Sequence, residues 1–475
     1  MGISALKTIV PVPVGIELAP SGKFLLSTLK SVSAAPGLER FAAEAVGSLG
    51  FFGVNAGVTD SPEAQLVFAL DASLGAESWE LEVTEKQITI SGGDAAGVFY
   101  ALQGLVQVTA AASAEGPVPA AIECGKVKDS PRFTWRSFML DPARHFQTVE
   151  TVKRIIRMMA SYRLNILHWH LTDSQGWRIR GGVVSDRASL DSMSSGAYTI
   201  EELKEIAAYA EKYFVEIVPE VDVPGHSLGL ATAYRDLACD PENPGTELCI
   251  GNPETLAFVK KIFAEVLEIF PNSRYIHIGG DEAALSNWEK CPRCLAAMKE
   301  GNFADLRKLE NHFMRQVAAF ITENGRTPIV WGTGTPFDSN TVIQAWLDHR
   351  EPARHIANGC KCIMSVHNSY YFDYPANQSE AQRSWMYSLP EEAVYMADPF
   401  VIWESSWKDH LLGPEACLWT EYVPDWRVIQ KILPRLGAYA EVAWSPVANK
   451  DYHDFCRRSG WLRAAGYEEY LRSLI

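Results

Sequence analysis

Two hydrophobic periods alternate along most of this chain. Short runs rich in Val, Ile and aromatic residues read as buried strands, and longer stretches with apolar residues at i, i+3, i+4 and i+7 read as helices. From Phe133 onward the strand-like runs are "RSFMLD", "NILHWHLTD", "VEIVPEVD", "YIHIGGDE", "PIVWG", "VIQAW", "KCIMSVHN" and "EACLWTE". Helical segments such as "TVETVKRIIRMMASY", "TIEELKEIAAYAEKYF" and "NPETLAFVKKIFAEVLEIF" separate most of them, several opening on Thr or Asn followed by Glu, as an N-cap requires. Repeated βα units of this kind predict a (β/α)8 TIM barrel over residues 132–475, finished by a helical tail. The alternative, an open doubly wound sheet, prefers a Gly-rich phosphate loop after a strand, and the chain has none.

Residues 1–131 differ in texture, mixing short strand-like runs ("ITISGG", "AQLVFAL") with helical stretches and ending in the polar linker "CGKVKDSPRF". They predict a smaller α+β domain ahead of the barrel, so the fold class is α/β with an accessory domain. The most apolar segment, "GVFYALQGLVQVTAAA", is interrupted by Gln and reads as an amphipathic helix rather than a membrane span.

Charge narrows the partners. A net charge of -15 argues against a nucleic-acid surface or an anionic membrane, both of which need concentrated Lys and Arg. The N-terminus lacks the long apolar core of a secretory signal, and Leu6 stands where a myristoylation motif wants Ser or Thr. The chain therefore reads as cytoplasmic, or as secreted or periplasmic with its signal trimmed. Among nine cysteines, Cys239 and Cys249 bracket a Pro/Gly/Asn loop and could bridge locally, while "CPRC" (Cys291, Cys294) and "CKC" (Cys360, Cys362) resemble metal half-sites without an evident second pair. Free or locally bridged thiols are favoured over a structural zinc.

In a barrel the reactive groups project from the C-terminal ends of the strands. Here those ends carry Arg144 and His145, then Asp173, then Glu220, Asp222 and His226, then Asp281 and Glu282. Trp331, Trp346, the stretch from Asn368 to Asp373, and Trp419 with Glu421 close the last four. Carboxylates among many tryptophans suit a sugar, whose apolar faces lie on indoles while Asp, Glu and Arg take its hydroxyls. Glycoside hydrolysis usually sets two carboxylates about 5–9.5 Å apart across the scissile bond. Adjacent Asp281 and Glu282 do not easily straddle a ring that way. The pair points instead to a substrate that supplies its own nucleophile while one acid orients it.

The stretches "LDPARHFQTVETVKRIIRMMASYRLNILHWHLTDSQGWRI", "VPEVDVPGHS", "YIHIGGDEA", "VWG" and "LWTE" together resemble the family-20 glycoside hydrolases, the β-N-acetylhexosaminidases, and "GVFYALQGLVQV" resembles the end of that family's N-terminal domain. The resemblance implies a retaining, exo-acting enzyme that removes terminal β-linked GlcNAc or GalNAc from glycans or glycoconjugates through an oxazolinium intermediate, without a cofactor or catalytic metal. By the same resemblance Glu282 is the general acid/base and Asp281 the carboxylate that orients the 2-acetamido group. Arg144, Asp373 and Glu421 match ligands of ring hydroxyls, and Trp331, Trp346 and Trp419 a box around the acetamido methyl. Tyr371 matches the donor to the acetamido carbonyl, Trp385 a platform for the leaving sugar, and Asp173 and His226 supports behind the acid. A neutral Glu282 beside an ionised Asp281 is the electrostatic expectation.

The chain departs from the family pattern at Ser174, where many relatives carry a second acid, and in the loop "RGGVVSDRASLDSMSSGAY". Two further readings compete. His168 and His170 in "HWH" have the spacing of a metal-binding barrel strand, although they lie deeper than the mouth, and a catalytically dead barrel that only binds sugar would be expected to lose Glu282 first.

Overall fold

The computed structural model describes residues 4–114, 120–185, 188, 196–332, 336–377, 379–380, 383–400 and 405–474. Residues 186–187 and 189–195 of the divergent loop 180–198 lie outside them.

The N-terminal unit is a mixed seven-stranded sheet, with Gly15–Leu25 at one edge beside Ala121–Asp129, and with helices Glu39–Phe51 and Ala95–Ser113. The second helix corrects an expectation. It is apolar and long enough to cross a membrane, yet 89% of its most apolar window is buried in the protein, and Gly97 through Ala112 are buried without a break. It is a core helix rather than an amphipathic one. Phe99 meets Tyr213 and Phe214 of the barrel layer, and Tyr100 meets Trp444 edge-on. The two units are tied by polar contacts as well: Arg136, fully buried, donates to Glu77 at 2.5 Å, and Trp444 Nε1 donates to Asp129 at 2.8 Å.

Eight parallel strands then close into a barrel: Ser137–Leu140, Ile166–His170, Glu216–Glu220, Tyr275–His277, Thr327–Trp331, Val342–Ala345, Lys361–Met364 and Leu411–Leu418. Six lie within their predicted runs; the fifth begins one residue before "PIVWG" and the eighth four residues before "EACLWTE". The predicted caps are in place, with Thr148, Thr199 and Asn252 accepting backbone N–H bonds at the starts of Val149–Ser161, Ile200–Lys212 and Pro253–Ile269. The outer layer thins after the sixth strand to the short helix Pro352–Ile356, and the long connection after the seventh strand lies over the mouth.

Because side chains two apart on a strand share a face, the lumen fills in layers. Ile166, Val218, Ile329, Val342 and Ile363 pack with Trp135 as an apolar floor. Two residues further along the same strands, His168, Glu220, Trp331, Gln344 and Ser365 form a polar layer, joined by Glu415 of the eighth strand. Above that layer the lumen opens.

Candidate active site

The twelve residues to which the resemblance gives roles all line one pocket of about 470 Å³ at the C-terminal mouth. Its construction starts with the turn after the fourth strand. Gly279 and Gly280 have φ of 68° and 97°, and a Cβ on Gly279 would overlap the Asp222 carboxylate, so the glycines let the chain turn against a buried acid. The turn delivers Asp281 and Glu282 to very different surroundings. The Asp281 side chain is 12% exposed and that of Glu282 is 58% exposed. Glu282 itself has φ +50°, as does His226 with φ +49°, a left-handed conformation that is costly for both and that clusters at functional sites.

His226 faces both acids, with Nε2 3.6 Å from Glu282 and 3.9 Å from Asp281. Its Nδ1 lies 3.1 Å from Asp173, which also meets His170 Nε2 at 3.1 Å and Arg144 Nη2 at 2.6 Å. Arg144 is further fixed by Asp141 at 3.2 Å and Gln175 at 3.2 Å, and its guanidinium lies over the Trp419 ring at 4.9 Å. Burial alone would raise Asp173, but Arg144 and His226 hold it far below the ordinary carboxylate range.

These contacts invert one expectation. Glu282 is drawn down, chiefly by its interaction with His226, whereas Asp281 is pushed up by burial and by neighbouring Glu220 and Glu282. Both shifts run against the expected neutral Glu282 beside an ionised Asp281. The cause is His226, which sequence order places far from the pair.

The rest of the wall is aromatic. Trp331 and Trp419 lie 5.7 Å apart, Tyr371 lies 6.1 Å from Trp419, and Trp346 completes the enclosure, its indole N–H bonded to Gly332 O at 3.3 Å. Trp331 is anchored from below, donating to Glu220 at 2.7 Å. At the rim, Trp385 is 55% exposed and sits 6.3 Å from Tyr422. On the far side Asp373 is pushed up to about 8 by burial and by Glu421, and Glu421 is itself raised by burial. Asp281 Oδ1 and Asp373 Oδ1 are buried without a hydrogen-bond partner, so both acids present acceptor capacity to the pocket.

Glu220 and Glu415, which have no role assigned from sequence, form the layer beneath. His168 bridges them at 2.9 and 2.8 Å, and His170 Nδ1 also meets Glu220. Burial opposes a charge on His168, but Glu415 and Glu220 carry it up to about 9. Both nitrogens of each imidazole are thus engaged by carboxylates, so "HWH" forms a charge ladder under the site. Asp222, Tyr374, Tyr387 and Tyr422 also line the pocket. The signal for Asp222 was its place in "VPEVDVPGH"; the tyrosines adjoin Asp373, Trp385 and Glu421 in sequence.

Residues 133–447 match the family model for the glycosyl hydrolase family 20 catalytic domain, and residues 7–130 match that family's domain 2. The chain belongs to glycosyl hydrolase family 20. It is 32% identical to a β-hexosaminidase of Akkermansia muciniphila, over 81% of this chain and 83% of that one, and 30% identical to a β-N-acetylhexosaminidase of Cellulomonas fimi, over 95% and 92%. Among solved structures, a family-20 exo-β-N-acetylglucosaminidase of Vibrio harveyi in complex with N-acetylglucosamine superimposes with a TM-score of 0.86 at 26% identity, covering 100% of this chain and 79% of that one. A Streptomyces plicatus β-hexosaminidase variant in complex with GlcNAc gives 0.84 at 27% identity, covering 98% and 95%. This family-20 member is a glycoside hydrolase.

Proposed function

We propose that the protein is a retaining, exo-acting β-N-acetylhexosaminidase that cleaves terminal β-linked N-acetylhexosamine from glycans by substrate-assisted catalysis. The β-hexosaminidase class accords with its family. The finer reading is carried by one observation: a buried carboxylate, Asp281, with an unpartnered oxygen beside an indole-lined recess, next to an exposed carboxylate, Glu282, on the adjoining residue. Two acids so placed serve one face of a ring, which suits an internal nucleophile. The barrel floor closes the pocket below, which favours a chain end over mid-chain entry.

On this reading Arg144, Asp373 and Glu421 take ring hydroxyls and Trp331, Trp346 and Trp419 enclose the acetamido methyl. Tyr371 donates to the acetamido carbonyl, whose oxygen attacks C1 as the glycosidic C–O bond breaks and Glu282 gives its proton to the leaving oxygen. Asp281 accepts from the acetamido N–H and stabilises the oxazolinium charge. Water then adds at C1 on the face the leaving group vacated as the C1–O bond to the acetamido oxygen breaks, giving its proton to Glu282 and regenerating the acetamide, and the configuration is retained. Trp385 supports the leaving sugar, and Asp173 and His226 fix the acid. The test is hydrolysis of an aryl N-acetyl-β-glucosaminide beside the same aryl β-glucoside. Cleavage of the first alone is expected; equal cleavage of the plain glucoside would remove the acetamido group from the mechanism.

A further inference from the structure

Outside the pocket the fold assembles a second chemical cluster. Cys239 and Cys249 belong to the connection after the third barrel strand, and Cys291 and Cys294 flank the start of helix Pro292–Glu300 beyond the catalytic turn. All four are reduced, and three are buried. The Sγ atoms of Cys249 and Cys291 lie 3.6 Å apart, those of Cys249 and Cys294 3.7 Å, and those of Cys239 and Cys294 3.7 Å, with all four within 4.8 Å of one another. A disulfide needs about 2.05 Å. A tetrahedron with Zn–S bonds of about 2.3 Å has S···S edges of about 3.8 Å, which is the spacing seen. Cys291 and Cys294, which from sequence lacked a second pair, find it across the helix Pro253–Ile269, and the local Cys239–Cys249 bridge is not formed.

The surroundings are built for this closeness. A Cβ on Gly251 would stand 2.5 Å from the Cys294 Cα, so glycine there lets the loop lie against the helix. Leu248 pairs with Ala238 to pinch the loop, and Arg293 donates to the Asp236 and Ala238 carbonyls. That places a guanidinium beside the sulfurs, where it offsets thiolate charge.

We propose that Cys239, Cys249, Cys291 and Cys294 bind one zinc ion in tetrahedral thiolate coordination, stapling the loop that follows His226 to the loop that follows Glu282. The staple reaches the active site through short links. Glu247 accepts from the Ala284 N–H at 3.1 Å and from Asn287 at 2.7 Å, Leu248 O accepts from Trp288 at 2.9 Å, and Ser227 N donates to Thr246 O at 2.7 Å. Ala284 lies two residues beyond Glu282, and Ser227 directly follows His226. None of the four cysteines lines the pocket, so the ion positions and does not catalyse.

The test is elemental analysis and intact mass of the purified full-length chain. One zinc per chain is expected, together with the reduced mass. Growth with cobalt in place of zinc should give thiolate-to-Co(II) charge-transfer bands and the visible bands of a tetrahedral site, a readout that needs no variant to fold. Cys249→Ser and Cys291→Ser should each lose the ion. Stripping zinc with a thiol-directed mercurial should speed amide exchange in residues 225–227 and 283–291. Reduced thiols without stoichiometric metal, or a mass lower by four hydrogens from two disulfides, would overturn the site, and unchanged exchange on stripping would overturn the staple.

Discussion

Replacing His226 by Gln removes the imidazolium that faces both catalytic candidates while keeping a polar side chain of similar reach. At the observed 3.6 Å from Glu282, a unit charge pair is worth about 4–5 kcal/mol at an effective dielectric constant of 20 and about 1 kcal/mol at that of water. The Glu282 side chain is 58% exposed, which puts the pair near the solvent limit. About 1 kcal/mol is a little under one pH unit. Losing a nearby positive charge raises a carboxyl pKa, so Glu282 stays protonated to higher pH and the alkaline limb of kcat/KM, which reports the free enzyme, moves up by about that amount. Asp281, 3.9 Å from the same imidazole, moves in the same direction, so the acid limb follows. The assay is the pH profile of kcat/KM on a β-linked N-acetylglucosamine disaccharide, where protonation of the leaving group is needed. A bell that stays in place while its height falls, or that moves to acid, would refute the electrostatic role and leave His226 only a packing one.

Glu282→Gln should lose about 10²–10⁴-fold on that disaccharide and far less on an activated aryl glycoside, with Asp281→Asn damaging both alike; equal losses for Glu282→Gln would contradict its role as acid. Gly279→Ala, at φ +68° and against Asp222, should destabilise the protein by at least about 1–3 kcal/mol in denaturant unfolding, and an unchanged midpoint would show that the turn relaxes. His168, raised from 6.5 to about 9 in the folded state, contributes stability that is complete below pH 6.5 and is lost as pH rises toward 9, at most about 3 kcal/mol. Glu220→Gln retains an acceptor for Trp331 but should flatten that slope; a wild-type slope in the variant would assign it to another group.

Those parts of the molecule whose signal is local were legible in the sequence. Thr148, Thr199 and Asn252 cap the helices their spacing predicted, and each of the eight strands overlaps its predicted run, because capping and hydrophobic period act within a few residues. The pocket residues were legible for a related reason: closing the barrel brings strand ends together whatever lies between them. What sequence reading missed depends on packing between distant segments. Ala95–Ser113 has Gln103 and Gln107 where an exposed stripe was expected, but both are buried, Gln107 bonding to the backbone of Val10. The cysteine pairs are joined only when two barrel loops meet.

The two adjacent acids are separated by environment rather than by distance along the chain. The left-handed turn at Glu282 sends one carboxyl toward the floor and the other toward solvent, and His226 then acts on both from one side. In the free protein this leaves Glu282 drawn toward its carboxylate and Asp281 toward its acid, the opposite of what proton donation and charge stabilisation require. A bound sugar corrects both at once. Covering Glu282 strips its water and raises it, while an acetamido N–H at the unpartnered Asp281 oxygen, and then the oxazolinium charge, favour the Asp281 anion. Binding and proton placement are therefore one event on this reading. A ligand of the same shape without the acetamido group would cover Glu282 but offer no N–H to Asp281 and no internal nucleophile, so discrimination against it falls on the chemical step more than on binding.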